Sequence, residues 1–450
     1  MLEAMGISEK FSTPVILRST TRVSHSRSLV NLGEKSLPER MICLVKDPPR
    51  FVPIPVWGRP MRQRLEERLK GLTEASERSK ANRIEWRDRS LGIITASIAY
   101  QYVRDAWPEA SVLKLGFSNP FPDSMVMELT SGVDKVLVVE ELDDVIEEHV
   151  KSLGIQCQGR SIVPGIGERS VDVLLDSREK YEGRESVTPS FPEYCQGLPP
   201  RPPVLCPGCP HRGIFYALGK HDVVVTGDIG CYSLGAFKPL DRMDTILCMG
   251  AGISMAQGFQ KAGEPKKVVG IVGDSTFFHS GITGLIDIAY NKGSSTIIVL
   301  DNRTTAMTGH QDHPGTGVTL MGEKTRALSI GDIGRACGIE MVFTISPYDL
   351  NTVKETLSQC LESGEPSLIV SRAPCPLKER RRVGAIREIS HEKCKGCEIC
   401  LKLACPAIEM DKDKPKINKI LCGGCGLCEQ ICPAGAASAV GKTKGDKADA

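Results

Sequence analysis

Short apolar runs separated by amphipathic stretches recur along this chain, and their pitch sets the first expectation. Leu91-Gly-Ile-Ile-Thr95, Ser111-Val-Leu-Lys-Leu115 and Lys135-Val-Leu-Val-Val139 each read as a buried strand, the last running into Glu140-Glu141. Between them Ala96 to Arg104 and Pro122 to Ser131 read as helices, and a further helix reaches Val150. Downstream the pattern returns at Val223-Val-Val225, Val268-Val-Gly-Ile-Val272, Thr296-Ile-Ile-Val-Leu300 and Ser367-Leu-Ile-Val370. Strands alternating with helices predict parallel sheets joined by right-handed crossovers. The fold class is therefore α/β, with one parallel-sheet domain over residues 89–178 and another over 204–377.

The remaining stretches break this rhythm. Pro14-Val-Ile-Leu17 predicts a buried strand, followed by a polar turn from Thr20 to Ser26. Proline and charge from Lys46 to Arg62 predict an irregular linker. Leu65 to Leu72 has helical spacing with Arg and Glu on its open face, so 46–88 reads as linker and helix. Glu, Ser and Pro make 179–203 a second linker, and Lys378 to Arg387 is a basic, proline-free connector to a small domain at 388–440. Residues 441–450, rich in Lys, Asp and Ala, are expected to be a disordered tail.

Composition narrows the class. At 450 residues the chain is too long for one core. Its hydrophobic content of 41% includes no run long enough to span a bilayer, so no membrane association is expected. A net charge of +2 argues neither for nor against nucleic acid, but with 5% aromatics no base-stacking platform stands out, and no nucleic-acid partner is expected.

Cysteine spacing changes the picture most. Cys394-Lys-Gly-Cys397-Glu-Ile-Cys400 is followed by Cys405-Pro406, and Cys422-Gly-Gly-Cys425-Gly-Leu-Cys428 by Cys432-Pro433. The second run has the C-x2-C-x2-C-x3-C-P spacing of bacterial ferredoxins; the first carries one extra residue before its last cysteine, which widens a loop. Three close thiolates grip three corners of a [4Fe–4S] cube and the fourth ligand comes from the other run. This predicts Cys394, Cys397, Cys400 and Cys432 on one cluster, and Cys422, Cys425, Cys428 and Cys405 on the other. A zinc site would want two pairs of ligands rather than triplets with trailing Cys-Pro. A disulfide framework belongs to secreted chains, and no signal peptide is visible. Thiols kept free as ligands need a reducing compartment, hence a cytoplasmic expectation.

A second constellation lies at strand ends. Val268–Val272 runs into Gly273-Asp274-Ser275, and the strand ending at Leu300 runs into Asp301-Asn302-Arg303-Thr304. Both place polar groups at the carboxyl ends of parallel strands, where α/β sheets bind ligands. Asp and Asn oxygens with a backbone carbonyl suit Mg²⁺, which bridges phosphates, and Gly273 lets the backbone approach a phosphate. Read alone, a Gly-Asp turn at a strand end is common. With Asn302 at this separation it resembles the thiamine-diphosphate motif, which implies Mg²⁺ on Asp274, Asn302 and the Thr304 carbonyl. Cys206-Pro-Gly-Cys209-Pro-His211-Arg212 stays open to several readings: a redox dithiol, half a zinc site with Cys195 and His211, or a tight turn beside the cofactor.

These motifs in this order closely resemble the large (alpha) subunit of indolepyruvate ferredoxin oxidoreductase, of the 2-oxoacid:ferredoxin oxidoreductases. Ser19-Thr-Thr-Arg22-Val-Ser24-His-Ser26, the Cys206–Arg212 segment and Thr308-Gly-His-Gln-Asp-His313-Pro-Gly-Thr316 carry the likeness over the whole chain. It implies a transketolase C-terminal-like domain, then a thiamine-diphosphate-binding domain, then a small α+β two-cluster ferredoxin domain. It implies thiamine diphosphate, Mg²⁺ and two [4Fe–4S] clusters as cofactors. Cys209, His211, Gly273, Asp274, Ser275, Asn302, Thr304 and Met307 would then be the cofactor-binding residues. The implied reaction takes an aryl 2-oxo acid, coenzyme A and oxidised ferredoxin to an aryl-acetyl-CoA, CO₂ and reduced ferredoxin, with a small beta subunit as partner. Two departures stand out. Residues 1–45 match only the end of the family's pyrimidine-binding domain, so the activating glutamate finds no match here, no catalytic residue is assigned, and a separate chain is expected to supply that domain or the reading frame is truncated. His310 stands where the family more often has glycine. Two alternatives stay open: an electron-transfer iron–sulfur subunit without catalysis of its own, and the same chemistry on pyruvate or a branched 2-oxo acid.

Overall fold

In the computed structural model, which describes residues 1–33, 46–185, 198 and 202–440, the chain forms two units, Met1–Leu198 and Pro199–Ala450. The tail predicted at 441–450, most of the linker at 179–203 and part of the segment at 1–45 lie outside the described residues.

The first unit is built on a four-stranded sheet of β1 (Arg83–Glu85), β2 (Asp88–Ala96), β3 (Ala110–Leu115) and β4 (Lys135–Val139), ordered β1-β3-β2-β4. β2 pairs in parallel with β3 and with β4, as the alternation predicts. β1 adds an antiparallel edge, which its short polar sequence does not signal. Side chains alternate across a strand, so Ile93, Val112 and Leu137 pack under helices Ala99–Ala106 and Val171–Tyr181. Ile94, Leu113 and Val138 face the other way, against helices Asp123–Ser131 and Val145–Ser152.

The structure departs from expectation at four places in this unit. Pro14–Leu17 is not a strand: it is extended and exposed, with Ile16 92% accessible, because no sheet edge in the unit receives it. Thr21–His25 is a short helix capped by the Thr20 hydroxyl rather than a turn, and Arg22 pairs with Glu168 at 2.7 Å. The stretch read as an irregular linker is helical at Pro48–Phe51 and Pro55–Arg78. Both helices begin on proline, whose missing N–H has no partner to lose in a first turn. The boundary expected at residue 178 falls inside helix Val171–Tyr181.

The second unit carries a six-stranded sheet, all parallel: β5 (Val223–Gly227), β6 (Thr245–Ile246), β7 (Lys267–Gly273), β8 (Thr296–Asp301), β9 (Met341–Ile345) and β10 (Ser367–Arg372), in the order β6-β5-β7-β8-β10-β9. β6 and β9, the edges, are absent from the predicted strands. β8 is buried at every position, which is why it reads as one apolar run. The chain leaves β5 toward β6 on one side and returns as β7 on the other. That reversal is a topological switch point, and the crevice at the strands' carboxyl ends is where such sheets bind ligands. β11 (Arg387–Ile389) pairs with β14 (Ala437–Ala439) and β12 (Ile408–Asp411) with β13 (Lys414–Ile417), both antiparallel. This small α+β part shares a core with the larger sheet: Tyr216 and Leu350 pack with Leu403, Ile408 and Leu427. A short helix, Pro376–Glu379, crosses the boundary expected at 377.

Candidate functional site

At the switch point a cavity is lined by His211, Gly273, Asp274, Ser275, Asn302, Thr304 and Met307, with Ile229, Cys231, Tyr232 and Met249 among its other walls. Each strand end contributes. Asp274 follows β7, Asn302 follows β8, and Tyr232 sits in the helical turn Cys231–Ala236 beyond β5. Seven of the eight residues implied as cofactor-binding meet here. The eighth, Cys209, is buried near the cavity but does not line it.

The polar geometry converges on Thr304. Its backbone N–H is 3.3 Å from Asp274 Oδ2 and 3.2 Å from Asn302 Oδ1, so a carboxylate oxygen and an amide oxygen face one point. Burial lowers the His211 pKa to about 4, against the pull of Asp274, so the ring is neutral at physiological pH. Its Nε2 lies 3.5 Å from Asn302 Nδ2 and accepts from it, which leaves Asn302 Oδ1 turned toward Asp274. Asp274 is buried, and among the described residues no Lys or Arg lies within ion-pair distance of it. His313 Nε2 lies 3.0 Å from its Oδ2 but is out of line for a hydrogen bond. A buried, uncompensated carboxylate beside an amide oxygen is a donor set that fits a hard divalent cation.

Gly273 has a reason beyond ligand approach. A Cβ there would lie 2.8 Å from the Tyr232 ring. Tyr232 in turn donates to Asp228, a buried carboxyl whose second oxygen accepts the Gly250 N–H at 2.7 Å. Burial pushes the Asp228 pKa up to about 7, against that hydrogen bond. Motif spacing gives no sign of this pair, since the Asp228-Ile-Gly-Cys231-Tyr232 segment does not announce that its two ends touch. The loop after Asn302 is held by Thr305 N–H to Gln311 carbonyl at 3.0 Å and by a Thr308–Gln311 side-chain bond at 2.7 Å. His310 within it has φ 64°, a left-handed conformation that glycine adopts without strain.

The eight C-terminal cysteines separate into two sets. Cys394, Cys397, Cys400 and Cys432 line one cavity of about 360 Å³. Cys405, Cys422, Cys425 and Cys428 line another of about 370 Å³. Each set takes three thiols from one run and the fourth from the other, the grouping that crossed ligation needs. Among the described residues no three Cys, His, Asp or Glu side chains converge on one ion. The thiolates of a cube each bind a different iron, so convergence on one point is not required of them. Burial and neighbouring thiolates push Cys400 up to about 11 and Cys428 up to about 12; bound iron would supply the missing positive charge. Backbone N–H groups already point at sulfur, from Ala436 to Cys432 at 3.2 Å and from Arg387 to Cys422 at 3.5 Å.

The Cys206–Arg212 segment links the two regions. His211 lines the strand-end cavity while Gly208 and Arg212 line the second cysteine cavity. Four more thiols share this neighbourhood. Burial raises Cys206, Cys209 and Cys231, with Cys209 reaching about 12; Cys375 raises Cys206 and Cys231 further, and Cys206 and Cys231 both act on Cys209. Cys231 and Cys375 are thus close enough to act on the Cys206-Pro-Gly-Cys209 pair, but among the described residues the four thiols do not converge on a single ion site. They come from three separate loops, a proximity that no sequence spacing reveals. Cys195, the other partner weighed for that pair, lies outside the described residues.

Residues 228–371 match the thiamine pyrophosphate enzyme C-terminal TPP binding domain, and residues 415–438 match a 4Fe-4S binding domain. The chain is 40% identical over 468 residues to the indolepyruvate oxidoreductase subunit IorA of Methanothermobacter marburgensis, covering 98% of this chain and 75% of that protein. It is 37% identical over 481 residues to the subunit of the same name from Pyrococcus horikoshii, covering 96% and 74%. Likeness to a solved 2-oxoglutarate:ferredoxin oxidoreductase from Magnetococcus marinus is slight: TM-score 0.36 and 21% identity, over 40% of this chain and 66% of that one. Among the described residues no helix is long and apolar enough to cross a membrane.

Proposed function

The chain belongs to the family of indolepyruvate oxidoreductase subunits named IorA, and from that premise we propose that it oxidatively decarboxylates aryl 2-oxo acids such as indolepyruvate. At the coarser level it is an oxidoreductase subunit of the 2-oxoacid:ferredoxin class, with a thiamine diphosphate domain and an iron–sulfur domain. In the finer reading coenzyme A takes the acyl group, CO₂ leaves, and electrons pass singly through two [4Fe–4S] clusters to ferredoxin. Thiamine diphosphate, when bound, supplies the electron sink that lets CO₂ depart.

The residues of this chain then have distinct tasks. Asp274, Asn302 and the Thr304 carbonyl would hold Mg²⁺, a cation that suits oxygen donors and the binding of phosphates. Neutral His211 would fix the amide of Asn302 so that its oxygen stays beside Asp274. Tyr232, packed against Gly273 and tied to Asp228, forms a wall that limits water. A small beta subunit is the partner in this reading, in a reducing cytoplasm that preserves the thiols.

The observation that carries this reading is the adjacency of His211 and Arg212. One faces the pocket where a 2-oxo acid would react; the other faces a cavity ringed by four cysteines. A bare electron carrier would have no use for the first, and a non-redox thiamine enzyme none for the second. Calorimetry separates the readings: Mg²⁺-dependent binding of thiamine diphosphate that Asp274→Ala abolishes excludes the electron-carrier alternative. The purified complex should reduce methyl viologen when given indolepyruvate, coenzyme A and thiamine diphosphate. Reduction with pyruvate or a branched 2-oxo acid but not with indolepyruvate would reassign the substrate.

A further inference from the structure

Arg212 is a buried cation without an anion. It is 1% exposed, and among the described residues no carboxylate lies within ion-pair distance of it. Its guanidinium donates instead to three backbone carbonyls: Leu403, Leu205 at 2.7 Å and Cys206 at 3.0 Å. Nε, also buried, has no hydrogen-bond partner among the described residues. Carbonyl dipoles satisfy N–H groups but do not cancel a full charge, and an unpaired buried charge is strongly unfavourable unless an anion compensates it.

Its surroundings supply a place for that anion. Arg212 lines the cavity ringed by Cys405, Cys422, Cys425 and Cys428. Arg387 lines the same cavity, but Glu429 neutralises it at 2.8 Å. Among the described residues the other cavity, ringed by Cys394, Cys397, Cys400 and Cys432, has no comparable cation: Lys395 and Glu398 line it, both at exposed positions. The two cysteine sets therefore differ by one fixed, desolvated positive charge.

The geometry points to Arg212 as the residue that sets the two clusters apart in reduction potential, raising that of the cluster on Cys405, Cys422, Cys425 and Cys428. This rests on the two-cluster reading given above. A [4Fe–4S] cluster that accepts one electron gains one negative charge and, in this step, no proton. A nearby buried cation stabilises the more negative reduced form, and net charge is one of the terms that sets such potentials. The raised cluster is the one whose Cys422–Cys425 loop touches the Cys206–Cys209 turn, so the better electron acceptor stands next to the strand-end pocket. Arg212 acts by position and charge; it forms no bond to the reacting atoms.

The test is an anaerobic redox titration of the iron-loaded full chain, followed by electron paramagnetic resonance. Arg212→Met should make one cluster at least tenfold harder to reduce at fixed ambient potential, about 59 mV for a one-electron couple. The other cluster should not move, and Arg212→Lys should stay within about threefold of wild type. The signal that moves must be the one lost in Cys425→Ser and retained in Cys397→Ser. Full iron content in Arg212→Met with both potentials unchanged overturns the inference while leaving the two-cluster reading intact. If Arg212→Met loses its iron, the wild type decides: the cluster assigned through Cys425→Ser must have the higher potential of the two, and the reverse order overturns the inference. If Cys425→Ser removes no iron, the two-cluster reading itself fails.

Discussion

Gly208 and Gly423 meet backbone to backbone: a Cβ on Gly423 would lie 2.8 Å from the Cα of Gly208 and 3.0 Å from its nitrogen. Here the turn between Cys206 and Cys209 touches the loop between Cys422 and Cys425, with no side chain interposed. Gly423→Ala therefore forces the two loops apart. Overpacking of this kind costs about 1–3 kcal/mol. The thermal midpoint should fall and the second cluster should bleach faster in air. A variant with wild-type midpoint and bleaching rate would show that the loops do not bear on each other.

The cysteine grouping predicts an asymmetric loss of iron. Cys397→Ser and Cys425→Ser should each remove about half of the iron carried by the eight C-terminal cysteines, because each serves one cube. The cluster that survives should differ between the two variants, which their paramagnetic spectra can read. Identical spectra and unchanged iron in both would refute the assignment.

His313 faces Asp274 at 3.0 Å and sits under the Phe278 ring, with centroids 5.7 Å apart. Groups that orient a metal-binding carboxylate typically carry a factor of about 10–100 in metal affinity. His313→Ala should weaken Mg²⁺-dependent thiamine diphosphate binding by a factor in that range without abolishing it. Calorimetric affinity equal to wild type would leave His313 a packing residue only.

Asp228 gives a pH signature. Its folded pKa, pushed up to about 7 by burial, exceeds the ordinary carboxyl value of 3.8. Between those limits the folded chain holds the extra proton, so this stabilisation is full below the ordinary value and is lost as pH rises through 7. Asp228→Asn removes the titration. The thermal midpoint of the variant relative to wild type should climb from pH 4 to pH 7, on the order of a few kcal/mol in stability at about 1.4 kcal/mol per unit. His211 titrates in both proteins and cancels in the comparison. A difference that stays flat across this range would mean that Asp228 is ionised in the folded state.

What could be read from sequence follows what each signal depends on. β8 and β10 are buried on both faces, and their unbroken apolar runs give them away. β1 is polar and β6 is two residues long, so neither carries such a run. Pro14–Leu17 has the composition of a strand but no partner edge in its unit, and composition alone cannot supply one. Pro48 and Pro55 look like helix breakers in a list of residues and act as helix starters in space. At the site, motifs fixed to one loop were legible: Gly273-Asp274-Ser275, and each cysteine triplet. Contacts between loops were not. The Tyr232–Asp228 link, the approach of His313 to Asp274, and the electrostatic influence of Cys231 and Cys375 on Cys206 all depend on where the crossovers bring separate strand ends.

The exchange of Cys405 and Cys432 between the two cysteine cavities also bears on how the segment is made. Neither cavity is lined by the four cysteines of a single run, so under crossed ligation a ribosome that has released only the first run has delivered three ligands of one cage and a gap. Iron placed early would sit in an open, oxidisable site until the second run arrives. If both cavities hold cubes, assembly of residues 388–440 becomes a single event in which chain closure and cofactor insertion complete each other, and a machinery that loads both cubes at once would suit it better than one that loads them in turn.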